Sequence, residues 1–222
     1  LMLGDIPNAD AQYISSRLVD MGVNVICHST VNDSPKDIRQ ALSYALPRSS
    51  VIIFTGGLGP TPDDLTKETV CSAVGVELKM HEESRRLIDD YFYRTGRKPS
   101  ENNYKQAMLP VGGTVFKNEV GTAPGCAISA GKQWIIMLPG PPKELIPMFD
   151  KEVIPYLREA VGGEYTAIKN ISVFGIGESR VAQMTDGYLH SKNPVVATYV
   201  SSGVVTVKVT VKGSDKGACN AL

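Results

Sequence analysis

The sequence predicts an α/β protein, with a mostly parallel sheet covered by helices on both faces, followed by a small α+β module. Three observations carry this. Helical stretches alternate with short apolar runs through the first part of the chain, the order that builds parallel βα units. The run Val51-Ile52-Ile53-Phe54 is apolar at every position, as a strand buried on both faces must be. That run ends in a glycine-rich turn, Thr55-Gly56-Gly57-Leu58-Gly59-Pro60-Thr61-Pro62-Asp63-Asp64-Leu65-Thr66, which opens the next helix. In open α/β sheets, ligands bind beyond the carboxyl ends of strands, where this turn sits.

The elements follow in order. Residues 8–21 form a helix in which Ile14, Leu18 and Met21 share a face, and Gly22 ends it. Residues 23–27 form a strand. Residues 34–46 form a second helix, started by Ser34-Pro35-Lys36-Asp37 and striped by Ile38, Leu42 and Leu46. After the strand at 51–54 and its turn, a helix runs over 65–74. Residues 76–80 are a candidate short strand, 81–95 a helix and 102–108 a short helix. Residues 126–129 and 134–138 form two strands joined at Gly131-Lys132. Pro139-Gly140-Pro141-Pro142 closes the second, and a helix over 143–159 is kinked or divided by Pro147 and Pro155.

Composition shifts at Gly162-Gly163, which divides the chain into domains at 1–162 and 163–222. The second holds the run Ile168-Lys169-Asn170-Ile171-Ser172-Val173-Phe174, a helix over 180–189 and strands over 194–199 and 204–212. The last strand alternates Val with Thr or Lys, so one face is solvated. Three or four elements bury little core of their own, and the module reads as cut short.

The chain has 222 residues, with 23 Lys+Arg against 23 Asp+Glu. This balance argues against bulk electrostatic binding of nucleic acid. No apolar run approaches membrane-spanning length, and the start as given has no leader pattern. Cys27, Cys71, Cys126 and Cys219 form no C-x-x-C pair, so zinc and redox motifs are unsupported, and a reducing cytoplasm fits. His28, His81 and His190 are far apart in the chain. Arg85, Arg86, Arg94, Arg97 and Lys98 read as a solvated helix face.

The chemistry concentrates at the glycine turn. Glycines without Cβ let backbone N–H groups approach a ligand, and the helix start adds partial positive charge. Together these cradle an anion, usually phosphate. Asp63 and Asp64 would repel phosphate unless a divalent cation lies between them. The alternative is capping, with Thr61 at the N-cap, Pro62 at the first helical position and Asp64 at the third. Capping alone does not need Gly56, Gly57 and Gly59. The turn is neither a P-loop nor a dinucleotide fingerprint, since no Gly-Lys-Ser/Thr follows and the spacing is Gly-Gly-x-Gly.

Several motifs together resemble the competence/damage-inducible CinA family. They are Leu3-Gly4-Asp5-Ile6-Pro7-Asn8-Ala9-Asp10-Ala11, the glycine turn, Asn102-Asn103, Val120-Gly121-Thr122-Ala123-Pro124-Gly125 and Leu138-Pro139-Gly140-Pro141-Pro142-Lys143-Glu144-Leu145. The segment Phe174-Gly175-Ile176-Gly177-Glu178-Ser179, with Asn193-Pro194, is similar to the KH-like middle domain of the same proteins. The resemblance implies a first domain of the molybdopterin-binding, MogA/MoaB-like fold, a three-layer α/β/α. It also implies ADP-ribose pyrophosphatase activity with a divalent metal (magnesium, manganese or cobalt, with potassium as a further cation), and a homodimer. In the family a strand ending in Gly-Thr-Glu precedes the segment matching Leu3-Gly4, and this sequence starts after it. Many members also carry a C-terminal deamidase domain. No residue follows Leu222 here, so deamidase activity is not expected of this chain.

Residue by residue, the resemblance sets Asp64 and Asp33 at acidic catalytic positions, with metal at Asp64; Asp33, next to Ser34, would otherwise simply lead into a helix cap. Gly56, Gly57 and Gly59 would bind phosphate through N–H groups. Asn8 and Asp10 would face the same strand ends, or serve as N-caps. Thr122, Pro124 and Gly125 would line the nucleotide, or form only a tight loop. Lys143 would touch phosphate, unless the prolines before it make only a rigid turn. The rival readings are a molybdopterin-binding module or cofactor-assembly protein without hydrolysis, and a regulatory remnant. The nucleic-acid-binding form of a KH domain has a Gly-x-x-Gly loop, which Gly175-Ile176-Gly177 does not match. The expected partner is therefore a small nucleotide, with neither membrane nor nucleic acid.

Overall fold

The computed structural model describes residues 1–2, 4–161, 165–201, 203–213 and 216–220. Leu3 of the first motif, the composition break at Gly162-Gly163 and the last residue, Leu222, lie outside them.

Helix α1 (Ala9–Asp20) buries Ile14 and Leu18. It ends at Gly22, whose φ of 75° is the left-handed stop the sequence signals. Residues 23–30 are not a strand, contrary to the expectation for 23–27. A strand exists through its ladder, and none of the described strands pairs with this segment. Helix α2 (Pro35–Ala45) starts as expected, with Ser34 Oγ accepting from the Asp37 N–H at 3.2 Å. Strand β1 (Val51–Thr55) leads into the glycine turn. Helix α3 (Thr66–Val74) begins four residues later than a cap at Thr61 would give. Its cap position is Leu65, with no side-chain bond.

Strand β2 (Leu78–Met80) and helix α4 (Glu82–Arg94) follow. His81 caps α4, its Nδ1 accepting from the Ser84 N–H at 3.2 Å. The expected helix over 102–108 is divided. Helix α5 (Glu101–Tyr104) passes into a 3-10 turn over Lys105–Ala107, and Met108 opens strand β3 (Met108–Pro110), antiparallel to β2. Periodicity could not reveal β3 or β4 (Thr114–Phe116). Strands this short carry no repeat of their own and are fixed by their partners.

Strands β5 (Gly125–Ala130) and β6 (Gln133–Leu138) form a hairpin around Gly131. The main sheet has the order β1-β6-β5-β4. The β1–β6 pair is parallel, and β5 and β4 each run antiparallel to their neighbour. Alternation along the strands makes the layers. Ile135 and Met137 of β6 and Cys126 and Ile128 of β5 join Ile38, Leu42, Val70 and Cys71 of α2 and α3 in one core. The opposite face of β6 carries Trp134, whose ring meets Tyr156 edge-on at 5.7 Å.

Tyr156 belongs to α7 (Ile154–Val161). Helix α6 (Pro142–Met148) precedes it, and the two are separated by a π-helical turn over Phe149–Val153. Pro147 and Pro155 flank that turn, dividing the helix as the prolines predict.

The contacts fall into two units, Leu1–Tyr13 with Ile26–Leu157, and Ile14–Val25 with Arg158–Leu222. In the second unit, β7 (Tyr165–Val173), β8 (Val195–Ser201) and β9 (Val204–Gly213) form an antiparallel sheet of order β7-β9-β8. Helix α8 (Glu178–Leu189) supplies Val181 to a core with Val196, Val205 and Val207. Val205, Val207 and Val211 are buried along β9 while Lys212 is exposed, the alternation read from the sequence. A last helix, α9 (Lys216–Asn220), follows. Part of α1 belongs to this unit. A Cβ on Gly22 would fall 1.8 Å from Thr166 Oγ1 of β7, so only glycine lets the α1 exit pass there.

Candidate functional site

Strand register places the motifs together. Thr55 is level with Leu138, Leu138 lies beside Gly125, and Gly125 pairs with Phe116. The glycine turn after β1, the proline turn after β6 and the 117–124 loop between β4 and β5 therefore emerge at one end of one sheet. Neighbouring strands lie about 4.8 Å apart, so β1 and β5 are separated by about 10 Å. Gly140 closes the gap between two of these turns, since a Cβ on it would lie 3.2 Å from Gly56 Cα.

The glycines of the turn have separate tasks. The Gly56 N–H donates to the Leu138 carbonyl at 2.9 Å, so it serves the sheet and not a ligand. Gly57 has φ 69°, and a Cβ there would meet Thr66 Oγ1 at 2.2 Å. Its carbonyl accepts from the Thr66 N–H at 3.2 Å, fastening the turn to α3. Gly59 leaves room for Asp64, whose Oδ2 would lie 2.5 Å from a Cβ at that position. Leu58 is buried in the core. It pins the turn by its side chain. Among the described residues, the N–H groups of Gly57, Leu58 and Gly59 donate to no protein acceptor. Successive unpartnered backbone donors of this kind are what backbone anion sites are built from.

Asp64 is turned back on its own loop. Its Oδ2 accepts from the Thr61 N–H at 2.8 Å and from Thr61 Oγ1 at 2.6 Å. Capping chemistry is thus present, but it caps a turn ahead of the helix. Oδ1 has no hydrogen-bond partner among the described residues. Asp63 and Asp33 are exposed, and no hydrogen bond joins Asp33 to Asp64.

Beneath this loop lies a pair of lysines that the sequence reading did not single out. Lys105 Nζ donates to the carbonyls of Asp64 and, at 3.4 Å, Thr61, and lies 3.8 Å from Glu68 Oε1. Lys67 is 2% exposed, and its Nζ donates to the Lys105 and Gln106 carbonyls at 3.2 and 3.1 Å. Burial lowers its pKa, and Glu68 opposes that shift. Each lysine thus holds the backbone of the other's segment. One signal could have found Lys67. It stands with Val70, Cys71 and Val74 at the i, i+3, i+4, i+7 spacing of a buried face.

The 117–124 loop is organised by Asn118. Its Oδ1 accepts from the Val120 and Gly121 N–H groups at 3.0 and 2.7 Å. Its Nδ2 donates to the Ala123 carbonyl at 2.9 Å and to Glu144 Oε2 at 2.6 Å. A Cβ on Gly121 would lie 2.2 Å from Glu144 Oε2, so a side chain there would push the Glu144 carboxylate away from Asn118. An Asn three residues before a Gly is the local signal for this Asx turn. The bond to Glu144, on α6, has no local signal.

The remaining predicted residues divide. Thr122 and Pro124 line a cleft of about 900 Å³, and Gly125 is buried at the start of β5. Asn8 is the cap of α1, its Oδ1 accepting from the Ala11 N–H at 2.9 Å. Asp10 is half-buried in the first turn, and desolvation raises its pKa. Lys143 is exposed in the first turn of α6. The Arg and Lys residues of α4 and the segment after it are solvent-exposed, as read from their spacing. No helix among the described residues is long and apolar enough to cross a membrane.

Comparison with known proteins identifies the family. Residues 1–159 match the family described as "Probable molybdopterin binding domain", and residues 168–222 match the damage-inducible protein CinA KH domain. The chain is 49% identical over 213 residues to a competence-damage inducible protein of Acetivibrio thermocellus, covering 96% of this chain and 51% of that one. A protein of the same name from Caldanaerobacter subterraneus subsp. tengcongensis is 43% identical over 216 residues, covering 97% and 52%. The chain thus spans about half the length of the curated relatives it matches. The crystal structure of the protein CinA from Thermoplasma acidophilum superposes with a TM-score of 0.64 at 30% identity, covering 69% of this chain and 90% of that one. The chain belongs to the CinA family, with a molybdopterin-binding-like domain followed by a CinA KH domain.

Proposed function

We propose that this CinA-family chain binds a nucleoside diphosphate compound such as ADP-ribose at the sheet end and hydrolyses its pyrophosphate. The observation that carries this reading is the row of three unclaimed N–H donors at Gly57, Leu58 and Gly59, beside a carboxylate with one oxygen unused. The donors hold one phosphate through its oxygens, with no charged side chain needed. Asp64, fixed by Thr61, lies next to that phosphate, and the 117–124 loop takes the far side of the ligand.

The donor set suits a divalent ion carried with the substrate. Among the described residues no three of His, Cys, Asp and Glu converge. One carboxylate with substrate phosphates and water is how magnesium is commonly held, and Asp64 Oδ1 would be that ligand. Such an ion, when bound, neutralises charge on the pyrophosphate and acidifies a water. Asp64 orients, the three N–H groups bind, and the proline turn after β6 walls the site.

The test is steady-state turnover of ADP-ribose with and without magnesium, in the protein and in Asp64→Asn. Asn keeps an acceptor for Thr61, so stability should fall by at most about 1 kcal/mol, while turnover is lost. Wild-type turnover in the variant would defeat the proposal. The family description favours a second reading, a molybdopterin-binding module without hydrolysis. A thermal-shift comparison of ADP-ribose, NAD, FAD and molybdopterin separates the two. A ligand at 100 times its dissociation constant adds about 2.7 kcal/mol. A shift with molybdopterin alone would support the second reading.

A further inference from the structure

The cleft of about 900 Å³ is too large for the phosphates alone and lies within the range of small-molecule sites. One wall is the 117–124 loop, through Asn118, Gly121, Thr122 and Pro124, and the other is α4, through Ser84, Tyr91 and Arg94. The loop wall leaves β4 and re-enters at β5, at the same sheet end as the glycine turn. Both walls are braced. Asn118 holds the loop with four hydrogen bonds, and His81 caps the first turn of α4 beside Ser84.

We propose that this cleft is the nucleoside subsite, with the base against Tyr91 and the adjoining phosphate drawn by Arg94, and that α4 therefore sets which diphosphate is accepted. The chemistry of the walls matches the pieces of a nucleoside. Tyr91 is half-buried, its ring meets Phe92 edge-on at 5.7 Å, and it lines the cleft. A planar base stacks on such an aromatic face whatever its identity. Arg94 has no carboxylate within ion-pairing distance among the described residues, and only its Nε is engaged, with the Asp90 carbonyl at 3.3 Å. Its remaining donors suit a phosphate oxygen. Asp90 and Thr122 offer an acceptor carboxylate and a hydroxyl, the complements of a ribose diol. The buried Pro124 supplies an apolar patch. Inorganic pyrophosphate would use the glycine turn alone, and a sugar phosphate, having no base, would not use Tyr91.

This inference rests on the diphosphate reading above, and the experiment separates the two. Calorimetric titration with ADP-ribose, ADP, ribose 5-phosphate and pyrophosphate, with magnesium present, is run on the wild type, Tyr91→Ala and Arg94→Ala. Arg94 is exposed, so its variant keeps the fold if Tyr91→Ala loosens α4. Tyr91→Ala should weaken ADP and ADP-ribose at least tenfold and leave ribose 5-phosphate and pyrophosphate unchanged. Arg94→Ala should weaken the nucleotides several-fold. Wild-type binding of ADP-ribose that neither folded variant weakens overturns the nucleoside subsite and leaves the diphosphate reading standing. An equal loss for all four probes also overturns it. A wild type that binds no nucleotide overturns both.

Discussion

The glycine turn and the 117–124 loop lie at the same sheet end but are built on opposite principles. The turn is held by backbone conformation. Gly57 sits at φ 69°, the Gly56 N–H is tied to Leu138, and Asp64 closes on Thr61 three residues away. The loop is held by one side chain, Asn118, which reaches Glu144 on a separate helix. A backbone-built turn tolerates no added Cβ where the conformation or a neighbour forbids it. A side-chain-built loop fails when its hub is removed. The difference predicts how each half responds to substitution.

The largest effect is expected at Gly57→Val. A branched side chain at positive φ costs about 1–3 kcal/mol in backbone strain, and the clash with Thr66 adds a similar overpacking cost. A urea unfolding curve should show a loss above about 3 kcal/mol, and any folded fraction should no longer bind ADP-ribose. Unchanged stability would mean that the turn adapts and is not conformationally fixed.

Asn118→Ala comes next. It removes four hydrogen bonds and leaves the Val120 and Gly121 N–H groups without their acceptor. The cost should be about 2 kcal/mol, softened because Val120 is exposed. Pyrophosphate affinity should survive while nucleotide affinity falls. If both ligands weaken together, the two halves do not work separately.

Lys105→Met probes the support of the turn. The Asp64 and Thr61 carbonyls lose a charged donor but can reach water, so a loss of about 1 kcal/mol is expected in chemical denaturation. Turnover of ADP-ribose should fall with Asp64 less firmly placed, and Lys105→Arg should restore part of it. Full activity in the Met variant would confine Lys105 to a packing role.

The smallest effect is a slope in alkaline stability. Burial pushes the Cys71 thiol up to about 11 and the Cys126 thiol to about 12, from 9.0. A group whose pKa is raised on folding stabilises below its unfolded pKa, and that stability is lost as pH rises through the folded value. The thiols therefore weaken the fold from about pH 9 upward. Lys67 acts with the opposite sign. Its pKa is lowered from 10.5, so its burial penalty is relieved as pH rises toward that value. Denaturation midpoints between pH 8 and 10.5 should fall, and Cys71→Ala should flatten the decline. A steeper decline in the variant would reverse the assignment.

The sequence by itself determined the elements with local signals. Helix α2 was legible because Ser34-Pro35 caps a stripe of Ile38 and Leu42, and α1 because Gly22 ends it. The division between α6 and α7 was written in Pro147 and Pro155, and the position of the glycine turn in its three glycines and the apolar strand before it. These signals act over a few residues, within reach of a single chain segment. Tertiary structure decided the rest. Residues 23–27 have strand composition but no ladder, while β4 has little periodicity and gains its strand from β5. Asp64 had two readings in sequence, and the fold gave it a local bond to Thr61 with one oxygen left over. Lys67 holds the Lys105 carbonyl across 38 residues, Lys105 holds the Asp64 carbonyl across 41, and Asn118 reaches Glu144 across 26. The α4 wall of the cleft faces a loop more than twenty residues away along the chain. Such partners are fixed by the packing of the sheet and its helices, which no local pattern of residues encodes.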